Sequence, residues 1–401
     1  MLSLKNCVFT FITLLHGTVA FAQNVWEPKA DMPTARKEIA DAATVLDGKI
    51  YVMGGTSAAG TITNVFEMYD PTTNGWTSLA PYPLSVWRAS LIALDGKIYS
   101  MGGYQELNPF PFDPSNKAFV YDPGTNSWSP IADMISPRGS AASVVLNGQI
   151  HLVGGANTDA LDSHHAYNPD TDNWSSISSL NQKRSGLTAV TINNKIYAVG
   201  GYFLSTGVVS LSSAEMFDPV TNLWNNIASM PFTKLGITSE VVQNKMYVFG
   251  NENGTAVLEY DPTADVWVPG VNMPENVNFS GAGTIDGLIY VLGGGEINLA
   301  TDGIAAVHCF NPALLSVANY DLLRMSSIVP NPSAGLIGLK LQMPASFARI
   351  IDISGRLISE IDLSNRGVEV PIQLPYRDGV YMVEVQFENG RRNMHRVILD
   401  H

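Results

Sequence analysis

Short apolar runs alternate with turn residues along most of this chain, and the pattern they form repeats. The clearest run is Ile50-Tyr51-Val52-Met53, too short for a helix and apolar on both faces. A strand covered by protein on both sides has that character. It is preceded by Asp47-Gly48, a dipeptide typical of two-residue hairpin turns, so residues 40–46 are expected to form a first strand paired with it. The run ends at Gly54-Gly55, where positive φ or close backbone approach is expected. After a variable loop, residues 65–69 predict a third strand, and Asp70-Pro71-Thr72-Thr73-Asn74-Gly75 a turn. Trp76 then opens a fourth strand, with a ring large enough to fill a gap between packed sheets.

This unit recurs. Its glycine landmark returns at Gly102-Gly103, Gly154-Gly155, Gly200-Gly201, Gly250-Asn251 and Gly293-Gly294. An aromatic-Asp/Asn-Pro tripeptide follows each: Tyr69-Asp70-Pro71, Tyr121-Asp122-Pro123, Tyr167-Asn168-Pro169, Phe217-Asp218-Pro219, Tyr260-Asp261-Pro262 and Phe310-Asn311-Pro312. Tryptophans follow the first five at Trp76, Trp128, Trp174, Trp224 and Trp267, but none follows the sixth. The missing copy stands at the front of the chain, as Trp26. A sixth unit would therefore take its outer strand from the N-terminal end and three strands from the other end. Such a ring removes the exposed sheet edges an open array would leave.

A repeat of this length, with paired glycines and spaced aromatics, resembles the kelch family of β-propellers. The resemblance covers residues 23–318 and implies an all-β, six-bladed propeller whose last blade is closed by an N-terminal strand. From Ser326 a different pattern begins, with Pro330-Asn331-Pro332, then Gly355-Arg356, then Gly379-Val380-Tyr381. Alternating segments such as Leu339-Lys340-Leu341-Gln342-Met343 and Val368-Glu369-Val370-Pro371-Ile372 predict a small β-sandwich. Residues 326–401 resemble the C-terminal sorting domain of the type IX secretion system of Bacteroidetes, departing from it only in the final Asp400-His401. That resemblance implies passage across the outer membrane, engagement of the secretion machinery, and release or anchoring at the cell surface. Residues 319–325 read as the linker.

The start of the chain agrees with export. Lys5, the apolar stretch 8–15 and Ala20-Phe21-Ala22 before Gln23 read as a signal peptide over residues 1–22. That stretch is too short for a membrane span, and no later segment is apolar over enough residues to make one. Removal of the signal takes Cys7 with it and leaves Cys309 as the single thiol, so neither an intrachain disulfide nor a cysteine-rich zinc site is expected. Charge narrows the partners further. With 23 Lys+Arg against 36 Asp+Glu, the chain is acidic and repels phosphate backbones, which argues against nucleic-acid binding.

Candidate chemistry centres on the stretch entering each innermost strand. A basic residue recurs there at Arg36, Arg88, Arg138, Arg184 and Lys234, with Arg36 and Arg88 about two residues out of step, and the sixth copy lacks it. Cations related by the ring could converge on the axis as a funnel for carboxylate or sulfate groups. Alternatively each could hold its own blade together. Tyr104, Phe110, Phe112 and the pair Tyr202-Phe203 lie in the loops expected at the same mouth, where aromatic rings either stack on sugars or pack against the blade.

Few histidines are available for acid–base work. His164 and His165 stand at a loop end and either could serve as a base, although neighbours on one strand face opposite sides and would not share a metal. His151 replaces the tyrosine of its repeat and is expected to be packed. Local turn chemistry accounts for the Asp-Pro pairs without calcium. The sequence holds no phosphate loop, nucleophile motif or metal-spaced cluster, so neither metal nor cofactor is expected. Two readings follow. One is an exported binding module for an extracellular glycan or protein. The other is a carbohydrate-active enzyme, a sugar-acid epimerase or mutarotase or a polysaccharide lyase, as exported kelch proteins of this architecture include sialic-acid epimerases. A passive surface or matrix component is a third.

Overall fold

A computed structural model describes residues 25–314 apart from 108–112, 206, 251–254 and 296–302. It also describes 326–329, 336–341, 344–352, 356–364, 369–374, 379–388 and 392–399. The expected signal peptide, the linker at 319–325, Phe110 and Phe112 lie outside the described residues.

Among the described residues, six four-stranded antiparallel sheets and two small two-stranded ones make up the first region. The first blade runs Ala43–Leu46, Lys49–Met53, Phe66–Asp70 and Gly75–Ser78 from the axis outward. The next four repeat that order, beginning at Ser90–Leu94, Ala142–Leu146, Thr188–Ile192 and Thr238–Val242. The sixth has Gly281–Ile285, Leu288–Leu292 and Val307–Phe310, and its outer strand is Trp26–Lys29, in the register Trp26↔Phe310. The innermost strands contact one another in sequence all the way round, so the ring is closed.

The landmarks explain the architecture residue by residue. Asp47 and Gly48 both adopt positive φ, 50° and 69°, as a tight hairpin turn with the sheet's own twist requires. Gly54 has φ 61°, and a Cβ there would lie 2.5 Å from the carbonyl oxygen of Val86 in the next blade. Gly55 N donates to that same oxygen at 2.8 Å, so only a residue without a side chain lets the blades meet.

At the rim, tryptophans tie each blade to its neighbour. Trp76, Trp128, Trp174, Trp224 and Trp267 donate through Nε1 to Ala30, Ala80, Ala132, Ser178 and Ala228 carbonyls at 2.8–3.1 Å. The transplanted Trp26 donates to Val271 at 3.2 Å, as a sixth copy of that latch. Turn residues do more than shape their own loops. Asn74 Oδ1 accepts from Tyr69 Oη at 2.7 Å and from Ala30 N at 2.9 Å, joining two blades, and Asn126, Asp172 and Asp265 act alike.

The C-terminal region has two sheets. Ser326–Val329, Leu336–Leu341 and Glu369–Gln373 form one. Leu357–Asp362, Ala345–Asp352, Gly379–Phe387 and Arg392–Leu399 form the other. Leu339 and Val370 of the first share one buried core with Ile350, Val383 and Phe387 of the second, which is how a sandwich buries alternating strands. Among the described residues, no helix is long and apolar enough to cross a membrane.

Candidate functional site

Four of the five repeated cations do not reach the axis. Arg36, Arg138, Arg184 and Lys234 have at most 1 % of their surface exposed. Each turns back into its own blade and caps the first glycine of its landmark. Nη1 of Arg36, Arg138 and Arg184 donates to Gly54, Gly154 and Gly200 carbonyls at 2.8–3.0 Å. Lys234 Nζ does the same to Gly250 at 2.5 Å and to Ala256 at 2.9 Å. These carbonyls lie where the strand is interrupted, and burial leaves them no water, so a cation supplies the missing donors. Arg36 and Arg184 also meet buried carboxylates, Glu67 at 2.7 Å and Glu215 at 2.8 Å. Arg138 meets a histidine ring, His165 Nδ1 at 3.0 Å. Burial pushes the Arg138 guanidinium down to about 10 and the Lys234 ammonium down to about 7. The expected five-cation funnel is therefore corrected: blade-holding consumes four of its members. The two-residue offset of Arg36 is absorbed within its own turn and leaves its clamp intact.

Arg88 differs. The clamp position of its blade is taken by Val86, and Arg88 stands two residues later, at the axis. Here one residue per blade, Glu38, Arg88, Ser140, Gly186, Gly236 and Phe279, has left-handed φ between 50° and 62°. Each amide donates to the carbonyl of the ring residue before it, at 2.7–3.1 Å from Arg88 round to Phe279. The Phe279 carbonyl accepts from Ile39 and Ala40 and closes the circuit. This ring narrows the mouth of the propeller.

The Arg88 guanidinium lies over Phe279 at 3.8 Å and Trp87 at 4.8 Å. Its Nε donates to Glu38 at 2.5 Å and its Nη1 to Tyr202 Oη at 3.3 Å, so groups from four blades meet on it. Burial opposes its charge, but Glu38 and Tyr202 outweigh that and raise its pKa. Of the aromatics expected at the mouth, three are described: Tyr104 packs on Trp87 at 5.0 Å, and Tyr202 and Phe203 are half-buried. Behind the ring, Asp41, Ser140 and Leu187 help to line a chamber of about 10 Å³, room for on the order of one water.

Two carboxylates escaped the sequence reading. Asp41 Oδ2 accepts from Ser143 N at 2.8 Å and Ser143 Oγ at 2.6 Å, across to the third blade. Glu240, on an innermost strand, accepts from Thr284 Oγ1 at 2.8 Å. Burial raises each to about 7. A signal was present, since both are acidic residues in or beside innermost strands otherwise made of apolar and hydroxyl residues.

His164 and His165 do not reach the mouth, which corrects their expected role as a base there. His164 is fully buried against Phe217 at 4.9 Å and Trp224 at 5.5 Å of the fourth blade, and its Nε2 bonds His151 Nδ1 at 2.7 Å. His165, on the opposite face, bonds Arg138.

Comparison with known proteins agrees with this architecture. The KLHDC2/KLHL20/DRC7 Kelch-repeats domain matches residues 18–201, and the Kelch motif residues 183–231. The secretion system C-terminal sorting domain matches residues 327–400. Alpha-scruin of Limulus polyphemus is 36% identical over 135 residues, 33% of this chain but 14% of its own length. Kelch-like protein 35 of Mus musculus is 31% identical over 132 residues, 33% of this chain and 21% of its own. The chain thus spans about a fifth or less of either relative. The solved structure of YjhT has a TM-score of 0.59, covering 71% of this chain and 96% of that one at 15% identity, a likeness of fold.

Proposed function

Because this chain carries kelch repeats followed by a secretion system C-terminal sorting domain, we propose that it is an exported module that binds an extracellular protein across the mouth of its propeller. The sorting domain marks it for secretion and the outer cell surface. The observation that carries the binding reading is that the axis is closed among the described residues. Arg88, stacked on Phe279 and held by Glu38 and Tyr202, fills the mouth, and the chamber behind it holds about one water. Small-molecule enzymes enclose their substrates in cavities of several hundred Å³. A ligand of this mouth lies on the surface, with Arg88 as its cationic centre and Tyr202 as its aromatic contact.

A glycan ligand is the second reading, favoured by the half-buried rings of Tyr202 and Phe203 beside Lys183, whose Nζ lies 5.6 Å from the Phe203 ring. The epimerase, mutarotase and lyase readings lose their histidine base, since His164 and His165 are packed inside the third blade. The test uses the full secreted chain on an array of cell-surface proteins and of sialylated, uronic-acid and sulfated glycans. Binding that Arg88→Gly and Tyr202→Ala both abolish is expected, with the hit unchanged by NMR. A new anomeric or unsaturated sugar signal would replace the module with an enzyme, and hits indifferent to both substitutions would move the site away from the mouth.

A further inference from the structure

We infer that the seam between the third and fourth blades is an acid-operated joint, which comes apart before the other five seams when its histidines take up protons. The observation is a departure from the chain's own repeat. At the centre of the second strand the other blades place Tyr51, Tyr99, Tyr197, Tyr247 and Tyr290, whereas the third places His151. Diagonal to it on the paired third strand, facing Val153, the third blade has His164 where the first has Phe66 and the fourth Ala214. An apolar pair (Tyr51 and Phe66, with centroids 5.8 Å apart) is thus replaced by two imidazoles with centroids 5.0 Å apart.

Proton bookkeeping makes this pair sensitive. With both rings neutral, the 2.7 Å contact between His151 Nδ1 and His164 Nε2 holds one proton. The other nitrogen of His164 makes no well-formed hydrogen bond; the Ser178 backbone near the ring favours a proton there, but burial against Phe217 and Trp224 of the next blade outweighs it. The second ring keeps its own proton on an outer nitrogen, so it is a third proton on the pair that creates a cation in that apolar seam. His165 adds to the effect from the other face. Its Nδ1 must accept from Arg138 Nη2, so a proton there breaks the bond and sets two cations 3.0 Å apart. The first and fourth blades carry Glu67 and Glu215 at this place, which welcome the clamp's charge.

Among the described residues, no charged group nearby compensates. On the strands packed against the pair, Glu215 is engaged by Arg184, and Lys195 is paired with Asp218. Tyr167 donates to Asp172, while burial raises Tyr99 and Tyr197 and keeps them neutral. Burial lowers His151 to about 4 and His164 to about 3, and burial with Arg138 lowers His165 to about 4. Folded values below the ordinary 6.5 mean stability is complete above about pH 6.5 and is lost as pH falls toward 4. Elsewhere acid acts differently: Asp41 and Glu240 favour their protonated forms, and Asp70, Asp159 and Asp218, held below the ordinary carboxylate value by their hydrogen bonds, give up their contributions only in stronger acid.

Hydrogen exchange of the full chain at pH 7 and pH 5, corrected for intrinsic rates, tests the joint. Residues 149–153, 164–168 and 214–218 are expected to lose protection at least tenfold more than 49–53 and 66–70. Equal loss at every seam overturns the inference. The double variant His151→Tyr, His164→Phe copies the first blade and should lower the acid-unfolding midpoint by about one pH unit. An unchanged midpoint in a variant folded at pH 7 would count equally against it. If that variant does not fold, the exchange pattern of the unaltered chain decides alone.

Discussion

Arg88 and Arg138 arise from the same stretch of successive repeats, yet one occupies the mouth and the other the interior of a blade. Arg138 lies sixteen residues before its landmark glycine, a spacing shared by Arg184 and Lys234, and that spacing delivers its guanidinium to the Gly154 carbonyl. Arg88 lies fourteen before Gly102, which puts it on the left-handed ring around the axis, level with Ser140, Gly186 and Gly236. Two residues of register separate a structural cation from a displayed one. The first is buried against the Gly154 and Ser163 carbonyls; the second keeps 12 % of its side chain accessible, and its partner Glu38 19 %. A recurring residue type in a repeat protein therefore does not carry a recurring role.

That contrast breaks most visibly if the clamps are removed. Arg184→Met strands Glu215 in the interior with only the Asn181 and Gln182 amides to hold it, and should destabilise the chain by about 3–5 kcal/mol in urea unfolding. Arg36→Met should match it through Glu67. Arg138→Met leaves the Gly154 carbonyl and His165 Nδ1, rather than a charge, unsatisfied, so a smaller loss of about 1–3 kcal/mol is expected.

Arg88→Gly should stay within about 1 kcal/mol of the parent, because a partly exposed ion pair contributes little and glycine suits φ 52°. Its binding should nevertheless vanish. A destabilisation as large as that of Arg184→Met would make Arg88 one more clamp and end the distinction.

The smallest expected effect concerns the channel. The folded Asp41 carboxyl is raised to about 7, so its contribution is present in acid and is lost as pH rises through 7. Asp41→Asn should flatten the fall in melting temperature between about pH 4 and 7, with a gain of roughly 1–2 kcal/mol persisting at pH 8. A variant whose profile parallels the parent would show that Ser143 holds Asp41 ionised throughout.

The blades were legible because their determinants are local. Asp47-Gly48 specifies its hairpin, Gly54-Gly55 ends its strand, and Trp76 marks the outer strand, each through backbone or side-chain chemistry within a few residues. Even the closing strand could be read, since Trp26 is the copy missing after Asn311-Pro312. The C-terminal sandwich was legible for the same reason, from alternation along its strands, whereas its sorting role came from a resemblance carried by Pro330-Asn331-Pro332, Gly355-Arg356 and Gly379-Val380-Tyr381. Residue type and spacing also singled out the five cations, and they singled out His151 as packed.

Only the tertiary structure decided what those side chains face. Whether a guanidinium points to the axis or folds back onto a carbonyl depends on the ring geometry of six blades and on a two-residue register that looks alike in one dimension. The meeting of His151 with His164 depends on strand pairing, and their shared contact with Phe217 and Trp224 depends on the neighbouring blade. Asp41 finds Ser143 across 102 positions of chain because the channel brings the first and third blades together. Local sequence sets the shape of each strand and turn; the company a side chain keeps is set by packing between blades, which no single repeat contains.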